Sequence, residues 1–79
     1  MENLIYLDLS NNEISNIDSI KKLVNLKKLV LHKNKIGSIK SIESLRNLKE
    51  LDLSNNIIGD ITALGQLSQL TRLDLSKIE

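Results

Sequence analysis

The stretch Leu4-Ile5-Tyr6-Leu7-Asp8-Leu9-Ser10-Asn11-Asn12-Glu13-Ile14-Ser15-Asn16-Ile17 decides the fold, because its apolar columns return downstream at a constant spacing of 22 residues. The set Leu4, Leu7, Leu9, Asn12, Ile14, Ile17, Ile20 and Leu23 recurs as Leu26, Leu29, Leu31, Asn34, Ile36, Ile39, Ile42 and Leu45. A third copy runs Leu48, Leu51, Leu53, Asn56, Ile58, Ile61, Leu64 and Leu67, and a fourth opens with Leu70, Leu73 and Leu75. No insertion breaks the register. Self-similarity at a fixed period marks a stacked-repeat architecture, here a single domain over 1–79 with repeats at 4–25, 26–47 and 48–69 and a partial one at 70–79.

Spacing within a repeat predicts its local structure. Leu7-x-Leu9 alternates with period two, the pattern of a short strand with one buried face. From Ile14 the apolar residues fall every third position, at Ile17, Ile20 and Leu23, which suits 3₁₀ or similarly tight turns better than an α-helix. Each repeat is therefore a strand, a turn and a tight irregular return. None can bury its leucines alone, so neighbours must stack into a solenoid with one parallel sheet. Asn12, Asn34 and Asn56 stand where the chain leaves the strand, and an amide there can bond unpaired backbone groups of the turn as an interior ladder. Asn3, Asn25, Asn47 and Gln69 precede the strands and are read as side chains that satisfy the turn into each.

These residues resemble the leucine-rich-repeat family in its 22-residue class. The copies Asn12-x-Ile14-x-x-Ile17 and Asn56-x-Ile58-x-x-Ile61 are similar to those of bacterial internalins and of protein-phosphatase regulatory subunits. Asp60-Ile61-Thr62-Ala63-Leu64 is the most internalin-like stretch, although internalins often carry proline where Ala63 stands. The resemblance spans essentially the whole chain. It implies an α/β leucine-rich-repeat solenoid, with a parallel sheet on the concave face and 3₁₀ or irregular segments on the convex one. It further implies that the strand face is the binding surface, while saying little about the partner, since one fold serves many binding tasks.

Composition agrees with an aliphatic interior: 41% of residues are hydrophobic but only 1% aromatic. The net charge of +1 produces no whole-molecule field of the kind that draws nucleic acid or an anionic membrane. Cysteine is absent, which excludes disulfides and thiolate metal sites. No apolar run is long enough for a signal peptide or membrane span. Met1 falls in the column of Leu23 and Ile78 in that of Asn56, so neither end shows a polar capping repeat. The expectation is a piece of a longer array, or a chain whose open ends meet another copy. A native start at Met1 would imply the cytoplasm; otherwise flanking sequence sets the location.

On the strands, residues beside the leucines form three outward rows. They are Tyr6, Lys28, Glu50, Arg72; then Asp8, Val30, Asp52, Asp74; then Ser10, His32, Ser54, Ser76. Row neighbours on strands about 4.8 Å apart touch. Tyr6, the only aromatic residue, reads either as an interface anchor or as a cover for the stem of Lys28. Val30 makes an apolar spot where the other copies carry aspartate. Lys28, Glu50 and Arg72 alternate in sign and are expected to pair across strands. Arg72 is also placed to neutralise Asp52 and Asp74. A metal site would need more ligands on a more enclosed surface, so no metal or cofactor is expected.

Two further patterns invite sharper readings. Seven lysines from Lys21 to Lys40 lie in a stretch without an acid. Stacking brings Lys21 to Glu43, Lys28 to Glu50, Lys35 to Glu13 and Lys40 to Asp18, which largely cancels the run and argues against nucleic acid. Ser54, His32 and Asp52 lie near one another like a hydrolytic triad. Yet Leu-Asp-Leu-Ser-Asn-Asn is repeat consensus, at Leu7–Asn12 and again at Leu51–Asn56, and the face offers no oxyanion hole. The chain is thus expected to be no enzyme but a module that binds a protein on its strand face. The candidate contacts are Tyr6, Asp8, Lys28, Val30, His32, Glu50, Asp52, Arg72 and Asp74. The alternative is a segment that assembles through its ends, with Ile5 and Ile57 covered by a neighbour.

Overall fold

A computed structural model describes residues 3–78; Met1, assigned to the column of Leu23, lies outside them. Four strands, β1 (Tyr6–Asp8), β2 (Lys28–Val30), β3 (Glu50–Asp52) and β4 (Arg72–Asp74), form one parallel sheet in sequence order. Their register equals the repeat period: Tyr6 pairs with Lys28, Lys28 with Glu50 and Glu50 with Arg72. The chain returns through three 3₁₀ segments, Asp18–Lys22, Lys40–Ser44 and Thr62–Gln66. Bonds such as Ile20 N–H to Ile17 C=O and Leu23 N–H to Ile20 C=O link residues three apart, which is why the apolar period there is three. The expected solenoid is what the chain forms.

Stacking repeats one hydrogen-bond pattern. Leu9, Leu31 and Leu53 N–H donate to the carbonyls of Val30, Asp52 and Asp74, while Ile5 C=O accepts from both Lys27 and Lys28. Between strand and return, Asn11, Lys33, Asn55 and Lys77 adopt φ of 58–59°. Left-handed backbone suits asparagine better than lysine, whose side chain offers no local hydrogen bond in compensation.

The core is one aliphatic cluster whose centre, from Leu26 through Leu48, is sealed: Leu29, Leu31, Ile36 and Ile42 are fully buried. Two buried asparagines complete it. Asn56 Nδ2 donates to the carbonyls of Leu31, Leu53 and Ser54, and its Oδ1 accepts from Ile36 N–H. Asn34 does the same one repeat earlier, reaching back to Leu9 C=O and Ile14 N–H. The ladder is thus interior at two rungs; Asn12 is exposed and, among the described residues, its amide donates to the Leu9 and Ser10 carbonyls. Ile78 stands where the next asparagine would serve Ile58.

The ends differ from the centre as the columns imply. Leu73 and Ile61 are 44% and 47% exposed, whereas their counterparts Leu29 and Ile39 are buried. At the opposite end, Leu7, Leu9, Ile20 and Leu23 line a groove of about 740 Å³ together with Asn3, Ser19 and Lys22.

Candidate protein-binding face

Three-residue strands leave little room for irregularity, so the outward side chains stand in straight rows. The register places Asp8 beside Val30, Val30 beside Asp52 and Asp52 beside Asp74. A groove of about 450 Å³ crosses the face, lined by Lys28, Val30, Glu50, Asp52, Arg72 and Asp74, with the leucines Leu29, Leu51 and Leu73 at its floor positions. The nine candidate residues all lie in or beside the strands, and six of them line this groove. Tyr6, Asp8 and His32 lie outside its lining.

At the leading end of the first row, Lys28 serves two partners. Its Nζ lies 5.2 Å from the centroid of the Tyr6 ring and 3.4 Å from Glu50 Oε2. Tyr6 remains 54% exposed, so the cation–π contact holds the ring without covering it. The remaining charge pairings do not form. Among the described residues Lys28–Glu50 is the only ion pair, so Arg72 reaches none of Glu50, Asp52 or Asp74. Lys21–Glu43, Lys35–Glu13 and Lys40–Asp18 are likewise absent, and Asp18 instead accepts from the Ser41 hydroxyl at 2.7 Å. Exposed pairs of long side chains gain too little to overcome their rotamer entropy, and a short hydroxyl can take the acceptor first.

The second and third rows are wired together by a unit that the sequence shows but that row-by-row reading passes over. Asp8, Asp52 and Asp74 each use Oδ1 to accept both the backbone N–H (2.9 Å) and the hydroxyl (2.7 Å) of the serine two residues on. The Asp-x-Ser spacing is the signal for this local motif. The hydroxyl and amide of Ser10 hold the Asp8 carboxyl below its ordinary value, and the amide and hydroxyl of Ser76 do the same for Asp74. Asp60, in the third return, is lowered similarly by Thr62.

Repeat two breaks the motif with Val30 and His32, and the result bears on the triad. His32 Nδ1 lies 2.6 Å from Ser54 Oγ, which itself donates to Asp52. Serine therefore sits in the middle of the relay, with its proton on a carboxylate, and receives the imidazole N–H. A nucleophilic serine needs the reverse order, with histidine in the middle accepting the serine proton. Ser54 is also 3% exposed. The three residues meet as expected, but as a positioning chain for the His32 ring. No cluster of three or more metal-ligating side chains occurs among the described residues, and no helix among them is long and apolar enough to cross a membrane.

Known proteins carry the same architecture. A family model described as Leucine Rich repeats (2 copies) matches residues 2–47, and a second, Leucine rich repeat, matches 25–77. The structure of an internalin, InlF from Listeria monocytogenes, is 36% identical with a TM-score of 0.93, over 99% of this chain and 24% of that one. The functional domain of InlJ from Listeria monocytogenes, described as including a cysteine ladder, is 29% identical with a TM-score of 0.87, over 92% and 16% respectively. This chain has asparagine at its ladder positions and no cysteine at all. It spans about a quarter of InlF and less of InlJ. No curated protein matches the sequence. With family models covering more than half of the chain and the repeat geometry in place, the chain belongs to the leucine-rich-repeat family, with internalins among its structural relatives.

Proposed function

We propose that the chain is a protein-interaction module that engages a protein partner on its outer strand face through Tyr6, Asp8, Lys28, Val30, His32, Glu50, Asp52, Arg72 and Asp74. The observation that carries this reading is the groove crossing β2 to β4, which six of these nine residues line on a backbone that cannot slip register. The residues that depart from the repeated Asp and Ser positions, Val30 and His32, both belong to repeat two, with Val30 opposite Asp8 and Asp52 and His32 on Ser54. Such a departure is where a repeated scaffold becomes selective. Tyr6 supplies rigid area, Val30 an apolar contact, and the charges register and specificity. Family membership and the internalin relatives support the protein-interaction reading.

The test is to select ligands against the intact chain by display and substitute Tyr6→Ala, Val30→Ala and Arg72→Ala. Binding should fall about tenfold or more while the melting temperature stays within a few degrees. Unchanged binding, or unfolding, refutes the face assignment.

The exposed Leu73 and Ile61 at one end and the apolar groove at the other favour a second reading, assembly through the ends with further repeats or another copy. Ile57, 53% exposed in the turn, separates the two. Ile57→Ser should lower the sedimentation coefficient at high concentration under the assembly reading and leave ligand binding intact under the first.

A further inference from the structure

We infer that the flank leading from the returns into the strands is a second interaction surface, which takes an extended acidic segment of a protein. An aliphatic side chain of that segment rests on Ile5 and Val24, and its carboxylates meet Lys27, Lys49 and Arg46. The flank lies beside the outward rows and does not rest on the binding face proposed above.

Of the pairings expected to cancel the lysine run, only Lys28–Glu50 forms among the described residues. Stacking builds two short rows of the same order instead. Ile5, Lys27, Lys49 and Thr71 share one column, and Val24, Arg46 and Ser68 another, so each row passes from an aliphatic through cations to a hydroxyl. Ile5 and Val24 are 52% and 45% exposed. Backbone bonds of 2.8 Å hold the first row together: Lys27 N–H donates to Ile5 C=O, Lys49 N–H to Lys27 C=O and Thr71 N–H to Lys49 C=O. Asn47 Nδ2 ties the second by donating to Val24 C=O at 3.1 Å. Glu2, in the column of Val24, lies outside the described residues.

The charge on this flank has one sign. Residues 22–27, 44–49 and 66–71 contain Lys22, Lys27, Arg46 and Lys49 and no carboxylate. None of the four has an ion pair among the described residues. Arg46 donates to Gln66 Oε1 at 3.2 Å, which orients its guanidinium without neutralising it. The neighbouring acids are committed elsewhere: Glu50 holds Lys28, and Glu43 lines grooves with Ser38 and Lys40 at the start of the returns. Asp8, Asp52 and Asp74 belong to the second outward row, and Lys33 and Lys77 follow the strands on the other side. Lys27 and Lys49 are therefore like charges on adjacent backbones, an arrangement that costs free energy until a carboxylate joins them. Along the row Lys27 and Lys49 lie about 5 and 10 Å from Ile5, or roughly one to three residues of an extended chain. A line of contacts that starts on an aliphatic fits such a chain. A phosphodiester backbone has nothing to set against Ile5 and Val24, and the flank has no aromatic residue on which a base could stack.

A random peptide library displayed against the intact chain and counter-selected against Lys27→Gln/Lys49→Gln tests this. All the side chains to be changed on the flank are exposed, so the variants should melt within a few degrees of the parent. Flank-dependent peptides should carry Asp or Glu within about three residues of an aliphatic one. A synthetic peptide of the selected sequence should lose about tenfold in affinity on Lys27→Gln/Lys49→Gln and about threefold on Ile5→Ser/Val24→Ser, which leaves the charge unchanged. Lys33→Gln/Lys77→Gln, across the strands, and Val30→Ala, on the strand face, should each leave affinity within about twofold. Failure to select any flank-dependent peptide, or selection of peptides without acids, overturns the inference. So does an equal loss at Lys33 and Lys77 or no loss at Ile5 and Val24, either of which reduces the effect to diffuse attraction. Phosphatidylcholine vesicles with about 30% phosphatidylserine and a single-stranded DNA oligonucleotide serve as further probes. Flank-dependent binding of either, with no acidic peptide selected, overturns the inference in favour of a lipid surface or nucleic acid. None of these outcomes bears on the strand face, which Tyr6→Ala and Arg72→Ala test separately.

Discussion

Leu29 and Leu73 occupy the same column, yet Leu29 is fully buried and Leu73 is 44% exposed; Ile39 and Ile61 repeat the contrast at 1% and 47%. The leading end shows a milder form of this loss: Leu7 and Leu9 are only partly buried there, while Ile17 and Ile20 are 3% and 6% exposed. The return segment carrying Ile17 and Ile20 is covered by the one that follows it, whereas no return segment follows Ile61 among the described residues. The asparagine ladder has the same direction: Asn34 and Asn56 reach back to the carbonyls and amides of the preceding repeat. In this solenoid a residue's burial is decided by its successor as much as by its own chemistry.

Leucine truncation offers the hardest test of that contrast. Leu29→Ala should destabilise the chain by about 2–5 kcal/mol in urea unfolding, enough to unfold a domain this small, whereas Leu73→Ala should cost less than about 1 kcal/mol. Equal costs would mean that the trailing edge is covered in solution. Asparagine removal comes next. Asn56→Ala strands the Leu31 and Leu53 carbonyls and the Ile36 amide and should cost about 2–3 kcal/mol, against less than about 1 for exposed Asn12→Ala. Both are readable by calorimetric melting.

A smaller effect, of opposite sign, is expected at the left-handed positions. Lys33→Asn should stabilise by about 0.5–1 kcal/mol, because asparagine tolerates φ near 59° better than lysine does. Lys77→Asn, at the open end, should gain less; similar gains at both sites would show the last turn to be as well ordered as the second. The smallest effect is acid sensitivity of the edge strands. Asp8 and Asp74 have folded-state values below their ordinary 3.8. Their contribution is present above the unfolded value and disappears as pH falls through the lower folded one. Amide exchange followed downward from pH 5 should therefore show β1 and β4 loosening before β2; simultaneous loosening would count against the edge–centre distinction.

Much of the fold was legible because it rests on large, repeated effects. Burial of aliphatic columns is worth kilocalories at every turn, so a 22-residue spacing compels the strand register, the 3₁₀ returns and the interior position of Asn34 and Asn56. The rows Tyr6–Lys28–Glu50–Arg72 and Asp8–Val30–Asp52–Asp74 followed from the same arithmetic. The charge pairings drawn from it did not hold beyond Lys28–Glu50. Column adjacency brings two backbones together, but long exposed side chains are placed by fractions of a kilocalorie and by competing hydroxyls such as Ser41.

The sequence alone thus determined a parallel leucine-rich solenoid with an outward strand face, because period and hydrophobicity admit no other stacking. Only the tertiary structure decided which atoms that face presents. It placed Ser54 between His32 and Asp52, spent the serine protons on the aspartates, left Arg72 without an ion pair among the described residues and opened a groove beside Val30. Those outcomes depend on distances of a few tenths of an ångström between side chains in neighbouring repeats, which no spacing along the chain encodes.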